Sequence, residues 1–558
     1  MQQNYSPFHP PANFWAKSWK PLAQLIANGL LKSFVVIASY YWVKNLSFQI
    51  RQDGQVEAQN IIYLFLAAAL IVLLRLHERY IAEKMSQKYI NSIRSSLLKR
   101  LMRSSVRDIQ KKTIGNLSSR LAGDLSSVKR WLSLGISRLV THSILLIITM
   151  ALIIQINSFM GLVIGAAIVL LIALAMFVGS QLKEIIKQVR KNRIRIHSLL
   201  VERLSSLSMI RTMGKEQKEV SKINAVANKL EKNSARQGVF LGLLRGIGDS
   251  SALLLIGLFF LLNGFKGHFL STDEITALIS IILFLNSPIR ELGRVQEYYQ
   301  GAKISLNKIQ ELYAIPRIVR GKSKLRNVKE GEKDLGRITF REVTLSPVFN
   351  RLRLTANKGD YIALTGKNGA GKSTLIQLIL GLIKQDSGRI RVNGIYPNKT
   401  MAHDRAQHIG CSGATMGLLN ATLKTNLNYR NSSTSKIEFK NLLRFCQLDR
   451  LIDNMDKGLN TMVNEQGQNF SSGEKARISL FRALLGNPEI LILDEPESFL
   501  DKKGFEIIKK LLSSYTGTII IATHHQELIS LCHKEWNLDG IQAKNNKTMR
   551  IIKNHVEK

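Results

Sequence analysis

Residues 366–373 read GKNGAGKS, a glycine-rich run closing on Lys-Ser with the spacing G-x-x-x-x-G-K-[ST]. Gly366, Gly369 and Gly371 let the backbone wrap so that its N–H groups converge on phosphate oxygens, aided by the N-terminus of the helix that follows. Lys372 is placed to reach the β- and γ-phosphates of a nucleotide, and the Ser373 hydroxyl to ligate Mg2+. Asn368 and Thr374, inside the loop and just past it, are counted with the same nucleotide site. At average composition the pattern arises by chance in about 2% of chains this long. Farther on, the wholly apolar run Ile490–Leu493 ends in Asp494-Glu495. An acid at the carboxyl end of a parallel strand faces the ligand crevice, so Asp494 suits a magnesium shell and Glu495 suits a group that orients or deprotonates a water. Between the two motifs lies FSSGE, Phe470 to Glu474. Ser471 and Glu474 there fit a capping box, and the amides of Ser472 and Gly473 form a positive helix end suited to an anion.

Such groups need elements to hold them. Tyr361–Thr365 reads as a buried strand leading into the glycine loop, and Thr374–Leu382 as the helix leaving it. From about residue 337 onward, short β-rich runs alternate with amphipathic helices, which is the α/β pattern. Upstream, Tyr313 to Arg337 shifts to Lys, Gly and Glu with no apolar period and reads as a linker. The first 290 residues differ again, with six apolar stretches of bilayer-spanning length: Leu22 to Val43, Ile61 to Leu76, Val140 to Ile156, Phe159 to Val178, Ser250 to Leu262 and Glu274 to Pro288. The second and fifth are short, so their boundaries are expected to extend into the polar flanks. Phe14, Trp15, Lys17, Trp19 and Lys20 read as an interfacial segment with aromatic anchors and snorkelling lysines. A signal peptide fits poorly, because no small-residue cleavage site follows Tyr40, Tyr41 and Trp42.

The charge follows this division. The 558 residues carry 79 Lys+Arg against 40 Asp+Glu, a net charge of +39, and a chain this long holds at least two domains. From Glu78 to Arg138 there are 14 basic residues against 4 acidic ones, and from Gln181 to Arg245, 15 against 5. The loop around Arg51, Asp53 and Glu57, the Asn157-Ser158 turn and Lys266 to Asp273 are nearly neutral. The basic loops are therefore expected in the cytoplasm with both termini, and the short loops outside. Topology accounts for most of the positive surplus in this half, and no nucleic-acid partner is called for. A soluble DNA-associated ATPase would explain the charge but not the six spans. Helices continuing out of the membrane through the basic stretches would project roughly 40 Å. Cys411, Cys446 and Cys532 are widely spaced, with neither a disulfide framework nor a zinc pattern.

With these motifs in place, the chain resembles a half-size ABC exporter: a membrane all-α six-helix bundle with long cytoplasmic extensions, fused to a C-terminal α/β P-loop NTPase domain. The matching elements are GKNGAGKS, FSSGE, LILDE, the D-loop-like Ser498-Phe499-Leu500-Asp501, and His524 in IIIATHH, which falls at the family's switch histidine. GNLSSRLAGD from Gly115 and VERLSSLSMIR from Val201 are similar to the family's intracellular-loop sequences. The resemblance implies a division into an N-terminal segment 1–20, a transmembrane domain 21–315, a linker 316–336 and a nucleotide-binding domain 337–558. It implies ATP and Mg2+ as cofactors, Glu495 and His524 as the catalytic pair, and Asp494 with Ser373 as metal ligands. It also implies ATP sandwiched between the P-loop of one copy and Ser471, Gly473 and Asp501 of another. The second half-transporter is then a homodimer partner, with a heterodimer as the other arrangement. The setting implied is a bacterial cytoplasmic membrane.

Two positions depart from the family pattern. The glutamine that meets Mg2+ and the lytic water falls on Ala414, and the aromatic that stacks on adenine falls on Pro347, with Phe349 as a candidate substitute. Both departures motivate an alternative, a catalytically weakened or regulatory half-subunit requiring a different partner chain; Glu495 argues against it. Asn28, Lys32 and Ser39 share one face of the first span, where Lys32 either meets an anionic substrate in a polar cavity or snorkels to the inner interface. Pro288 reads equally as a gating kink or a packing kink. About 20 residues precede the first span, which disfavours a peptidase domain for cleavage-coupled peptide export. Lipids, drugs, processed peptides and siderophore-like molecules all remain open as substrates.

Overall fold

The computed structural model describes residues 14–52, 57–265, 270–316, 335–413, 416–430, 434–498 and 502–539. The chain divides into two compact units, Met1–Met102 with Gln110–Ile315, and Arg103–Ile109 with Pro316–Lys558. Most of the 316–336 segment and residues 1–13 of the N-terminal segment lie outside the described residues.

Among the described residues, six long apolar helices make up most of the first unit. Four are unbroken, Phe14–Gln52, Ala58–Leu101, Ser158–Ser205 and Glu216–Phe265, while the third and sixth spans run over Gly115–Ile156 and Thr272–Tyr313. Each apolar stretch read from the sequence lies inside one of them, and the two short ones are extended at both ends. A helix of 48 residues is ~70 Å long, more than twice a hydrocarbon core of about 30 Å, so much of it continues into the basic stretches. The third span is interrupted by wider π turns at Arg120–Asp124 and Trp131–Ile136. Gly135 permits the second of these, because a Cβ there would meet the Trp131 ring at 2.3 Å. In the sixth span, Pro288 is buried inside the helix Thr272–Gly293, after which a new helix, Val295–Tyr313, begins.

The interior of this unit is apolar, with Ile153, Ile164, Phe259, Ile281 and Leu285 all nearly inaccessible. Its exterior is apolar too: Phe34 is 70% exposed, Phe65 73% and Leu253 75%. Water does not tolerate such a surface, whereas lipid does, so these side chains are the bilayer-facing ones. Lys32 is buried in an ion pair and is not an unpaired cation facing a polar cavity. It is 6% exposed and ion-paired with Glu78 of the second helix. Glu78 also accepts hydrogen bonds from Thr141 (3.1 Å) and Ser137 (3.4 Å), and the Asn28 amide donates to Leu74 O at 2.9 Å. A buried charge is tolerable only when paired and hydrogen-bonded in this way, and the cluster ties the first three helices together.

Among the described residues the second unit contains eight strands: β1 (Ile338–Leu345), β2 (Phe349–Ala356), β3 (Tyr361–Thr365), β4 (Ser387–Val392), β5 (Ile409–Gly413), β6 (Ile490–Asp494), β7 (Thr518–Ala522) and β8 (Lys534–Asn537). They form an antiparallel sheet of order β2-β1-β4 and a parallel sheet of order β5-β6-β7-β3-β8. The central strands are continuous apolar runs because both faces of the sheet are covered. Alternate residues enter opposite cores: Ile362, Leu364, Ile492 and Ile520 pack on one face, and Leu491, Leu493, Ile519 and Ile521 on the other. The register aligns Leu364 and Asp494 with Ala522. Three neighbouring strands, β6, β7 and β3, thus release their chains at one level, in the crevice where open α/β sheets bind ligands.

Candidate nucleotide site

The loop after β3 turns on three glycines with positive φ, Gly366 at 135°, Gly369 at 87° and Gly371 at 101°. Gly371 is the most constrained: a Cβ there would lie 2.6 Å from Val348 Cγ1 and 2.9 Å from Phe349 Cζ. A side chain would therefore lift the loop off the antiparallel sheet as well as strain the backbone. The helix Lys372–Ile379 opens directly after it. Ser373 and Asn368 are exposed, and Thr374 is half-buried in the first turn.

Lys372 is 7% exposed. Its ammonium donates to Gly366 O at 2.8 Å and meets His524 Nε2 at 2.8 Å. An ammonium has only donors, so Nε2 of His524 is the acceptor and its proton sits on Nδ1. The structure thus brings together the P-loop lysine and the histidine singled out after the Ile519–Ile521 run. Asp494, half-buried at the end of β6, belongs to the same neighbourhood. Burial pushes its carboxyl above the ordinary carboxylate range, Glu495 and Glu497 add to the rise, and Lys372 opposes it. Glu495 adopts a left-handed backbone conformation (φ 48°) and donates its N–H to Ala522 O at 2.9 Å. Such a conformation in a residue other than glycine costs about 1–3 kcal/mol and clusters at functional sites.

The crowding of three acids has a measurable consequence. The folded-state pKa of Asp494 is raised, so its ionised form opposes folding at neutral pH. Asp494→Asn is expected to raise the melting temperature of the nucleotide-free chain. The gain should be largest at neutral pH and should vanish as pH falls through the raised folded value to the ordinary one. A melting temperature that is unchanged or lowered at pH 7 contradicts this account.

The FSSGE segment forms the expected cap. Glu474 N–H donates to Ser471 Oγ at 3.2 Å and Ser471 N–H to Glu474 Oε2 at 2.8 Å, opening the helix Ser472–Leu484. Ser471 is exposed and Gly473 half-buried. Among the described residues no hydrogen bond or ion pair connects either to Lys372, Asp494, Glu495 or His524. Asp501 and Ala414 lie outside the described residues. Pro347 sits in the turn between β1 and β2. Phe349 is not available to stack on a base, since it is 3% exposed, belongs to the core and lies against the P-loop at Gly371. One residue was missed from sequence. Glu497, in the turn Pro496–Ser498, accepts hydrogen bonds from Thr523 Oγ1 at 2.5 Å and from His524 N–H at 3.2 Å. Its only sequence signal is that it is a third acid within four residues of Asp494-Glu495-Pro496-Glu497.

Comparison with known proteins places these features in a family. A family described as the ABC transporter transmembrane region matches residues 22–289, and one described as ABC transporter matches residues 349–498. Among curated proteins, ABC transporter B family member 29, chloroplastic, of Arabidopsis thaliana is 26% identical over 299 residues, covering 52% of this chain and 47% of that protein. A putative export ATP-binding/permease protein of Rickettsia typhi is 33% identical over 183 residues, covering 32% and 31%. The ATP-dependent lipid A-core flippase of Chromobacterium violaceum is 21% identical over 357 residues, covering 63% and 61%. Each match spans less than two thirds of the relative's own length. A solved bacterial Atm1-family ABC exporter with ATP bound shares the fold, with a TM-score of 0.78 at 19% identity and 94% coverage of both chains.

Proposed function

The chain belongs to the ABC transporter family, as a half-size exporter with the transmembrane region and the ATP-binding domain in one polypeptide, and from that premise we propose that two copies use ATP to move a substrate out across a membrane. The observation that supports it most directly is the meeting of Lys372, His524 and the Asp494-Glu495 pair at the carboxyl ends of three adjacent parallel strands. In this reading the Lys372 ammonium exchanges Gly366 O and His524 Nε2 for β- and γ-phosphate oxygens, gaining charge-assisted bonds. His524, freed from the ammonium, carries its proton on Nε2 instead of Nδ1 and donates it to a γ-phosphate oxygen. Glu495 accepts a proton from the attacking water. The donor set fits Mg2+, because Asp494 is an acid crowded by two others and Ser373 offers an exposed hydroxyl on the first turn of the P-loop helix. Asp494 and Ser373 would hold the ion, which supplies charge neutralisation on the phosphates.

The signature residues motivate the dimer. Ser471, exposed, and Gly473, half-buried, crown a capped helix end and among the described residues are bonded to none of the P-loop groups of their own chain. A helix N-terminus is an anion site, and here it serves the nucleotide of a second copy. The basic stretches are cytoplasmic in this arrangement, and the setting is the inner membrane of a bacterium. The lipid flippase among the relatives makes a lipid the first substrate to try.

Complementation tests this proposal. Lys372→Ala and Ser471→Arg chains, each reconstituted alone in lipid nanodiscs, are expected to hydrolyse little Mg-ATP. Co-assembled, they should recover activity in proportion to the heterodimer formed, since each such dimer keeps one intact composite site. Mixed samples no more active than either variant, although heterodimers are present by affinity-tag pull-down, would falsify the shared site.

A further inference from the structure

Strands β6 and β7 run parallel in a register that opposes Asp494 to Ala522, so the segments leaving them travel side by side. Two connections bridge those segments. One is the backbone bond from Glu495 N–H to Ala522 O. The other is made by a side chain: a single oxygen of Glu497, Oε1, accepts from Thr523 Oγ1 at 2.5 Å and from the His524 backbone N–H at 3.2 Å. Thr523 is fully buried and also receives the His525 N–H on Oγ1 at 3.0 Å. The turn that carries His524 is thus fastened to the carboxylate that follows the Asp494-Glu495 pair. The same histidine reaches Lys372 through its ring. The second oxygen, Oε2, is buried with no hydrogen-bond partner among the described residues.

We propose that Glu497 is a positioning residue for hydrolysis: it fixes the backbone of His524, and through it the imidazole, relative to the P-loop lysine and the phosphates. The proposal deepens the reading of the nucleotide site given above and rests on it. Glu497 touches no reacting group. Its carboxylate acts through Thr523 and His524, and leaving one oxygen unbonded while burying an acid beside two others is unfavourable. The burden is consistent with a role in geometry rather than in stability. A neutral acceptor of the same shape should therefore serve nearly as well, and loss of the acceptor should misplace His524 without removing it.

Steady-state hydrolysis by the full-length chain in nanodiscs tests this. Glu497→Ala is expected to lower kcat for ATP about tenfold with KM changed by less than about threefold, because the phosphate-binding loop is untouched. Glu497→Gln, which keeps an acceptor oxygen at the Oε1 position, should restore kcat to within about threefold of the parent. The deciding measurement is a double-mutant cycle. In a His524→Ala background Glu497→Ala should cost nothing further, since the group it positions is gone. Thr523→Val, an isosteric change that removes the hydroxyl donating to Glu497 and accepting from the His525 N–H, should show the same dependence on His524 and serves as the readout if Glu497→Ala fails to bind ATP. If the His524→Ala and Glu497→Ala losses multiply, the positioning role is overturned while the site reading stands. If His524→Ala turns over ATP at the parent rate, the site reading falls and the proposal with it.

Discussion

Glu495→Gln is expected to slow ATP hydrolysis by the reconstituted chain at least about 10²-fold, the lower range for removing a general base, while leaving ATP affinity within a few-fold of the parent. Gln keeps the shape of the side chain and the backbone bond to Ala522 O, so the left-handed turn at Glu495 should survive. Only the capacity to take a proton disappears. Removing this charge also relieves Asp494, whose carboxyl is pushed up partly by Glu495, so metal binding is not the step expected to fail. The checks are phosphate release under saturating Mg-ATP and equilibrium binding of a fluorescent ATP analogue to the same preparation. Turnover within about threefold of the parent would mean that the water is activated elsewhere, and the regulatory reading of the chain would then gain ground.

What the sequence made legible is what depends on neighbours along the chain. The P-loop, the apolar run before Asp494 and the Ser471/Glu474 capping box are local, and each appears in the structure at the residues that the pattern marks. The six spans are local in the same sense, since hydropathy needs no partner. Pairing across elements was not legible. Lys32 was visible as a cation on a helix face, but its partner Glu78 lies 46 positions away on a neighbouring helix, and helix neighbours cannot be read from periodicity. Glu497 was overlooked because its value comes from the parallel register of β6 and β7, which brings it to Thr523, 26 positions on. Phe349 illustrates a misjudged alternative. Plain alternation along β2 would place it opposite Leu352 and Leu354, but the left-handed residue Arg351 (φ 47°) and the register shift against β1 turn it into the same core, where it lies against the close approach of Gly371.

The register of β6, β7 and β3 also explains why Lys372 should be the most sensitive position in the second unit. Among the described residues its ammonium is the positive charge that offsets the rise of the Asp494 carboxyl, and it holds Gly366 O and His524 Nε2 at 2.8 Å each. Lys372→Ala would therefore remove the proposed phosphate contact, leave Gly366 O and His524 Nε2 without their donor, and drive Asp494 further toward its protonated form. Two charge-assisted hydrogen bonds to phosphate are worth roughly 3 kcal/mol together, so ATP affinity is expected to fall by about 10²-fold and ATP-driven uptake of a lipid probe into inverted vesicles to disappear. Lys372→Arg should not rescue it, because a planar guanidinium cannot replace a compact ammonium in a loop where the lysine is 7% exposed. The measurements are binding of a fluorescent ATP analogue and probe uptake, with the melting temperature as a check that the chain is folded. A folded Lys372→Ala chain that binds ATP like the parent and still drives uptake would remove the physical basis for placing the nucleotide at this crevice.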